Sequence, residues 1–265
     1  MIKKSILMCP PDYYGIRYEI NPWMDVKKDS DKKLSRKQWE DLYNLINRKI
    51  GIEIKLIEPQ KNYPDMVFTA NAGFVFNNTF IKSNFRFKQR KGESGFFEKW
   101  FKKNGYRIEE LPEETNFEGE GDLLLCGENF YAGYIIRSDI NAHTRISKII
   151  NKRILSLELV NQKFYHLDTC FLPLSNGEIA YYPYAFDLFG RKIIKNYIKK
   201  SIAVKKTEAL KFGCNAICIG RDVVLNSGCD GLKNKLLKLK YRVFETNLSE
   251  FIKAGGSAKC LVLFI

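Results

Sequence analysis

Cys260 and His166 carry the side chains of this sequence most suited to covalent chemistry. Cys260 follows Gly255-Gly256-Ser257-Ala258-Lys259 and precedes the apolar run Leu261-Val262-Leu263-Phe264-Ile265. Adjacent glycines let backbone turn at positive φ or pass close to a ligand, so one thiol is expected where that bend meets a buried strand. A free cysteine there is ordinarily a small core residue, whereas a thiolate beside an imidazole is a nucleophile. Only His143 and His166 offer an imidazole, which narrows the choice of acid/base partner. The stretch Phe164-Tyr165-His166-Leu167-Asp168-Thr169-Cys170-Phe171-Leu172-Pro173 has strand composition. A period of two then places His166, Asp168 and Cys170 on one face, with an imidazole and a carboxylate side by side.

The elements that must position these groups recur along the chain. Helices are expected near Ser35 (as N-cap, closed by Gly51), Glu93, Ser138, Asp187 and Asp230. Each is followed by a short strand: Ile52–Ile57, Arg107–Leu111, Leu155–Leu159, Ile202–Lys205 and Arg242–Glu245. Hairpins fall between them, Leu123–Cys126 with Phe130–Gly133, and Cys170–Leu172 with Ile179–Tyr182 around Ser175-Asn176-Gly177. Further strands are read at Lys4 to Met8, at Met66-Val67-Phe68, and at Phe74-Val75-Phe76 turning through Asn77-Asn78 into Thr79-Phe80-Ile81. Helices recurring at roughly 40 to 60 residues mark an internal repeat of the size that closes radially. No composition break marks a linker, so residues 1–265 are read as a single domain. From pattern alone the competing architecture is a mixed α+β sandwich.

Composition bounds the reading further. The 265 residues are 45% hydrophobic and 14% aromatic, ample for a core. No run approaches the length of a membrane span, and the first apolar segment is too short for a signal peptide, so a cytoplasmic protein is expected. Seven cysteines without C-x-x-C pairs suit free thiols in a reducing compartment, and Cys214 with Cys218 lacks the further ligands of a zinc site. The net charge of +14 would suggest nucleic acid or an anionic membrane. Lysine greatly outnumbers arginine, however, and no helix concentrates it into a stripe interleaved with aromatics, so a solvated basic surface is the preferred reading. Such a field repels a cation at long range, so a cationic substrate requires local carboxylates.

Three stretches in order, Phe117-Glu118-Gly119-Glu120-Gly121-Asp122-Leu123-Leu124, His166-Leu167-Asp168-Thr169 and Gly255-Gly256-Ser257-Ala258-Lys259-Cys260, resemble the motifs of the guanidine-modifying enzymes. These are the arginine deiminases, the dimethylarginine dimethylaminohydrolases and the arginine:glycine amidinotransferases. Asn21-Pro22-Trp23-Met24 and Phe68-Thr69-Ala70-Asn71-Ala72-Gly73 look like the single-domain arginine dihydrolases. The resemblance implies an α/β fold, the five-bladed α/β-propeller or pentein of pseudo-fivefold ββαβ repeats, with the site at its centre and neither cofactor nor metal.

The resemblance also implies roles. Cys260 is the expected nucleophile, forming a thiouronium-type adduct on a guanidinium carbon, and His166 protonates the leaving nitrogen and activates water. Asp168 and Glu118 are expected to hold guanidinium N–H groups; Glu118-Gly119-Glu120-Gly121-Asp122 is one residue longer than the usual acidic motif, so Glu120 is the alternative to Glu118. Asn71 stands where deiminases have aspartate, as in the dihydrolase branch, and is implied in carrying hydrolysis past citrulline to ornithine, two ammonia and carbon dioxide. Arg90 and Arg137 are candidates for a substrate carboxylate, with Asn21 and the backbone at Ala258 completing the pocket. Arginine dihydrolase is therefore the preferred function, with dimethylarginine dimethylaminohydrolase next, then arginine deiminase or amidinotransferase. A basic nucleic-acid-binding protein is the non-enzymatic alternative. The expected partner is a small guanidino molecule, with no nucleic acid or membrane, in a possible homo-oligomer.

Overall fold

The computed structural model describes residues 5–265, arranged among the described residues as five three-stranded sheets. β1 (Ile6–Met8) runs parallel to β2 (Ile54–Leu56), with α1 (Lys32–Asn44) crossing between them. β3 (Gly73–Phe76) and β4 (Thr79–Lys82) form a hairpin, and α2 (Lys88–Lys91) and α3 (Glu93–Lys103) lead to β5 (Arg107–Glu109), parallel to β4. β6 (Leu123–Cys126), β7 (Asn129–Tyr134), α4 (Ile140–Ile150) and β8 (Ile154–Glu158) repeat that order. So do β9 (Phe171–Pro173), β10 (Ile179–Tyr181), α5 (Leu188–Tyr197) and β11 (Ser201–Ala203). After α6 (Lys206–Ala209), the unit of β12 (Ile217–Ile219), β13 (Asp222–Asn226), α7 (Asp230–Lys238) and β14 (Arg242–Thr246) repeats it once more. Then α8 (Ser249–Ile252) leads to β15 (Leu263–Phe264), which pairs antiparallel with β1 and completes the first sheet from the other end of the chain. Each unit is thus an antiparallel pair, a helix and a parallel strand, the α/β-propeller expected from the repeat.

Helices dock because their apolar residues recur every three or four positions. Leu42 and, in the π-helical turn Leu45–Ile50 that continues α1, Ile46, together with Phe97 and Phe101, Ala142, Ile146 and Ile150, and Leu232 and Leu236, are all buried on the inner faces of their helices. Burying each large side chain stabilises the fold by about 1.5–3 kcal/mol, so four such faces outweigh the weak intrinsic stability of the short strands. Among the described residues, no helix is long and apolar enough to cross a membrane.

Several local expectations change. Asp31 rather than Ser35 caps α1, its carboxylate accepting from the Leu34 N–H, while Ser35 sits in the first turn with its hydroxyl on the Asp31 carbonyl. Lys4, where the first strand was expected to begin, lies outside the described residues. Met66-Val67-Phe68 is not a strand: Pro64–Val67 is a 3-10 turn that Pro64 initiates. The expected strand from Phe164 to Pro173 is also wrong in its first half. Gln162–Phe164 and Leu167–Thr169 are 3-10 turns, and only Phe171–Pro173 is extended. The Thr169 hydroxyl donates to the His166 carbonyl at 2.6 Å, a local bond that competes with strand pairing.

Candidate active site

Four of the five sheets are entered through a short 3-10 turn: Thr69–Ala72 before β3, Gly119–Gly121 before β6, Leu167–Thr169 before β9 and Lys259–Leu261 before β15. The remaining entry, before β12, is closed by the Asn215 N–H on the Phe212 carbonyl. In or beside these equivalent turns sit Asn71, Glu118, His166, Asp168, Asn215 and Cys260, all buried. Radial closure therefore gathers residues that are far apart in the chain. Gly121 shows how tightly: a Cβ there would lie 2.3 Å from Asn71 Nδ2 and 3.2 Å from the His166 ring. Gly255, at φ +88°, takes the left-handed bend ahead of Cys260 that the sequence suggested.

His166 is held from both sides. Its Nε2 lies 2.7 Å from Glu118 Oε2, and its Nδ1 lies 3.4 Å from Asn71 Nδ2. Behind Glu118 stands Arg137, whose Nη1 donates to the same carboxylate oxygen at 2.9 Å and whose guanidinium is sandwiched between the Phe87 and Tyr165 rings. Behind Asn71 stands Arg90, which donates to Asn71 Oδ1 at 2.8 Å and forms a two-pronged bridge to Glu93 at 3.0 and 2.8 Å. The thiol of Cys260 donates to Asp168 Oδ2 at 3.3 Å, and Asn215 Nδ2 donates to the sulfur at 3.2 Å. Asp168 Oδ1 is buried with no hydrogen-bond partner, an acceptor left open in the interior.

The local field opposes that of the surface. Asp65, Glu93, Glu118, Glu120, Asp122 and Asp168 are buried, and the buried cations Arg90, Arg137 and Lys259 are half as numerous. Burial pushes the Asp168 carboxyl up to about 7, with Lys259 opposing, and burial together with the Asp168 charge pushes the Cys260 thiol well up. Burial would also raise Glu118, but Arg137 and the bond to His166 outweigh it and hold that carboxyl well below the usual range. A molecule of net charge +14 thus encloses a site in which buried carboxylates outnumber buried cations.

A narrow cavity is walled by Asn21, Asp65, Asn71, Arg90, Arg137 and Cys260, with Phe68 and Tyr165 as aromatic walls. The structure therefore brings together Cys260, Asn71, Asn21 and both candidate arginines, with His166, Glu118 and Asp168 directly behind them. Each arginine gives part of its fork to protein groups. Glu118, not Glu120, contacts His166; Glu120 is paired with Lys259 at 2.9 Å and accepts from the Phe264 N–H. The Ala258 expectation shifts: Ala258 packs in the core, whereas Ala254 lines the cavity and its carbonyl accepts from Asn21 Nδ2 at 3.0 Å. Cys170 does not share a face with His166 and Asp168; its thiol donates to the Leu167 carbonyl inside the core. His143 is structural, bonded to Ser156 Oγ at 2.8 Å and pushed down to about 4 by burial. Asp65 and Asn215 escaped the sequence reading; the one signal for Asp65 was the Pro64-Asp65 turn start, and for Asn215 its place just before an alternating strand.

The family model described as N,N dimethylarginine dimethylhydrolase, eukaryotic, matches residues 18–265. The chain belongs to the guanidine-modifying enzymes. It is 43% identical over 262 residues to the bifunctional arginine dihydrolase/ornithine cyclodeaminase AgrE of Nostoc, which covers 97% of this chain and 37% of that protein. The chain thus spans little more than a third of that relative's length. Against the N(G),N(G)-dimethylarginine dimethylaminohydrolase of Mycobacterium tuberculosis it is 40% identical, covering 97% of this chain and 84% of that protein. The crystal structure of the N-terminal domain of ArgZ, a cyanobacterial arginine dihydrolase bound to substrate, superposes with a TM-score of 0.95 at 42% identity, covering 98% of this chain and 97% of that one. For a guanidine-modifying enzyme, the arrangement supplies a thiol in the cavity wall and, buried behind that wall, an imidazole on a carboxylate and an unpartnered acceptor.

Proposed function

We propose that this protein is an arginine dihydrolase, with Cys260 as nucleophile and His166 as acid and base. The observation that carries the reading is the thiol of Cys260 on Asp168, in a cavity that Asn71, bonded to His166, also lines. Asp168, through its open Oδ1, holds guanidinium N–H groups and draws the carbon toward the sulfur. Sulfur attacks that carbon, a proton reaches the leaving ammonia through His166, and the C–N bond breaks to leave a thiouronium adduct. His166 then takes a proton from water, whose oxygen adds to the same carbon; the C–S bond breaks and citrulline forms. A second water and a second attack convert the ureido carbon to carbon dioxide and release ammonia and ornithine. Glu118 balances the imidazolium formed at each proton transfer, held ionised by Arg137. At the far end, Asp65 suits an α-ammonium, and the remaining N–H groups of Arg90 and Arg137 suit the carboxylate.

The amide at position 71 and the similarity to AgrE and the ArgZ domain favour the dihydrolase. Dimethylarginine hydrolysis is the second reading, supported by the family model and the mycobacterial relative. The seven cysteines, all free, support a reducing, cytoplasmic setting. Incubation with arginine and with dimethylarginine, followed by separation of ornithine, citrulline and dimethylamine, tests the assignment. Ornithine without lasting citrulline is expected; persistent citrulline or dimethylamine as the main product would overturn it. Cys260→Ser should lose nearly all turnover, because a hydroxyl is a far weaker nucleophile at neutral pH.

A further inference from the structure

Of the five turns that enter the sheets, the one before β12 carries a neutral residue that neither charge nor motif singles out. Asn215 is fully buried and divides its carboxamide between the segment that holds the thiol and the Asp168 carbonyl. Its Oδ1 accepts from the Ser257 N–H at 2.8 Å and from the Cys260 N–H at 3.3 Å. Two backbone donors on the oxygen fix the orientation of the amide, so the Nδ2 hydrogens must point the other way. There they meet two acceptors, the Asp168 carbonyl at 3.1 Å and the Cys260 sulfur at 3.2 Å. The Asn215 carbonyl in turn accepts from the Lys259 N–H at 3.1 Å, so backbone and side chain grip the same turn.

We propose that Asn215 is a further catalytic residue, whose fixed Nδ2–H donates to the Cys260 sulfur and stabilises it as the thiolate, both for attack and when the C–S bond breaks. A neutral N–H bonds an anionic sulfur more strongly than a thiol, so the contact favours the charged form. It is needed because the other near neighbour of the sulfur, Asp168, and burial itself both favour the thiol. Unlike a bound guanidinium, the Asn215 donor is present throughout the cycle, including after ammonia has left. The inference rests on Cys260 being the nucleophile, and its test separates the two ideas.

The test is the pH dependence of iodoacetamide alkylation of Cys260, followed by peptide mass, together with kcat and KM for arginine, in wild type, Asn215→Asp and Asn215→Ala. Cys260→Ser supplies the background from the other cysteines. Asn215→Asp keeps an oxygen for the Ser257 and Cys260 N–H groups but replaces the N–H that faces sulfur; Asn215→Ala removes that N–H without adding charge. Both should move the alkylation midpoint up by about one pH unit or more and lower kcat by about 10²-fold, the usual effect of losing one donor to a developing anion, with KM little changed. Should Asn215→Ala fold poorly, Asn215→Ser, which also adds no charge, takes its place. A midpoint unchanged from wild type would overturn the role of Asn215, since a purely structural clamp survives in the aspartate variant. Arginine turnover persisting in Cys260→Ser would instead overturn the nucleophile assignment, and with it this proposal.

Discussion

Arg90 Nη1 donates to Asn71 Oδ1 at 2.8 Å, and that bond decides which way round the Asn71 carboxamide sits. A guanidinium has no acceptor, so the atom facing it must be the amide oxygen. The amide nitrogen therefore faces His166, and because that nitrogen only donates, His166 Nδ1 must present its lone pair. The imidazole proton is then on Nε2, directed at Glu118 Oε2 at 2.7 Å. An asparagine thus selects one tautomer of the neutral imidazole, which an aspartate at the same place would not do.

Replacing Asn71 by aspartate should therefore split the reaction. A carboxylate accepts from a protonated Nδ1 and suits a guanidinium, which carries only donors, but it repels the carbonyl oxygen of a ureido group. Asn71→Asp is expected to consume arginine and accumulate citrulline. Ornithine yields matching wild type would show that the amide is immaterial.

Binding of arginine should depend on pH through Asp168. Its carboxyl, raised by burial to about 7, must be ionised to meet a cation, so the dissociation constant measured on Cys260→Ser should fall about tenfold per pH unit up to about 7 and then level. The same shift acts on stability. A folded value above the unfolded one means the empty protein retains a proton that the unfolded chain releases, so this contribution to stability is complete below about 4 and lost as pH rises through 7. Titration calorimetry across that range checks the first statement, and a flat profile would defeat it.

Lys259, next to Cys260 in sequence, is paired in the interior with Glu120 at 2.9 Å and ties its turn to the acidic glycine loop. Lys259→Met leaves a buried carboxylate without its cation and should cost about 3–5 kcal/mol in denaturant unfolding. Adding Glu120→Gln should recover most of that. A double variant no better than the single one would mean that the lysine acts through something other than this pair.

Glu118→Gln removes the charge that faces both Arg137 and His166 while keeping the shape. The imidazolium formed during proton transfer loses its counterion, and kcat should fall by about 10²-fold or more. The equivalent change at Glu120 should lower kcat far less, because Glu120 contacts Lys259 rather than the histidine.

Much of this was legible because it is periodic or chemically rare. Hairpins such as Leu123–Cys126 follow from alternation and turn residues, and α3 and α7 from apolar spacing. Cys260, His166 and Glu118 stood out because few side chains do their chemistry. The entry turns were not legible, since Leu167–Thr169 and Lys259–Leu261 owe their shape to side-chain bonds and tertiary contacts that override strand-like composition. Asp31 and Ser35 are both good caps one helical turn apart, and only packing chooses between them. Asn215 and Asp65 are ordinary turn residues until closure brings them to the centre.

The sheet that joins β1 to β15 has a consequence for synthesis. Cys260 lies in the turn that leads into β15, so on a growing chain the sulfur emerges only after the four other sheet entries have been made. Any product halted before that point lacks the thiol proposed as nucleophile and also exposes an unpaired edge on β1. The proposed nucleophile and the strand that completes the ring therefore arrive together.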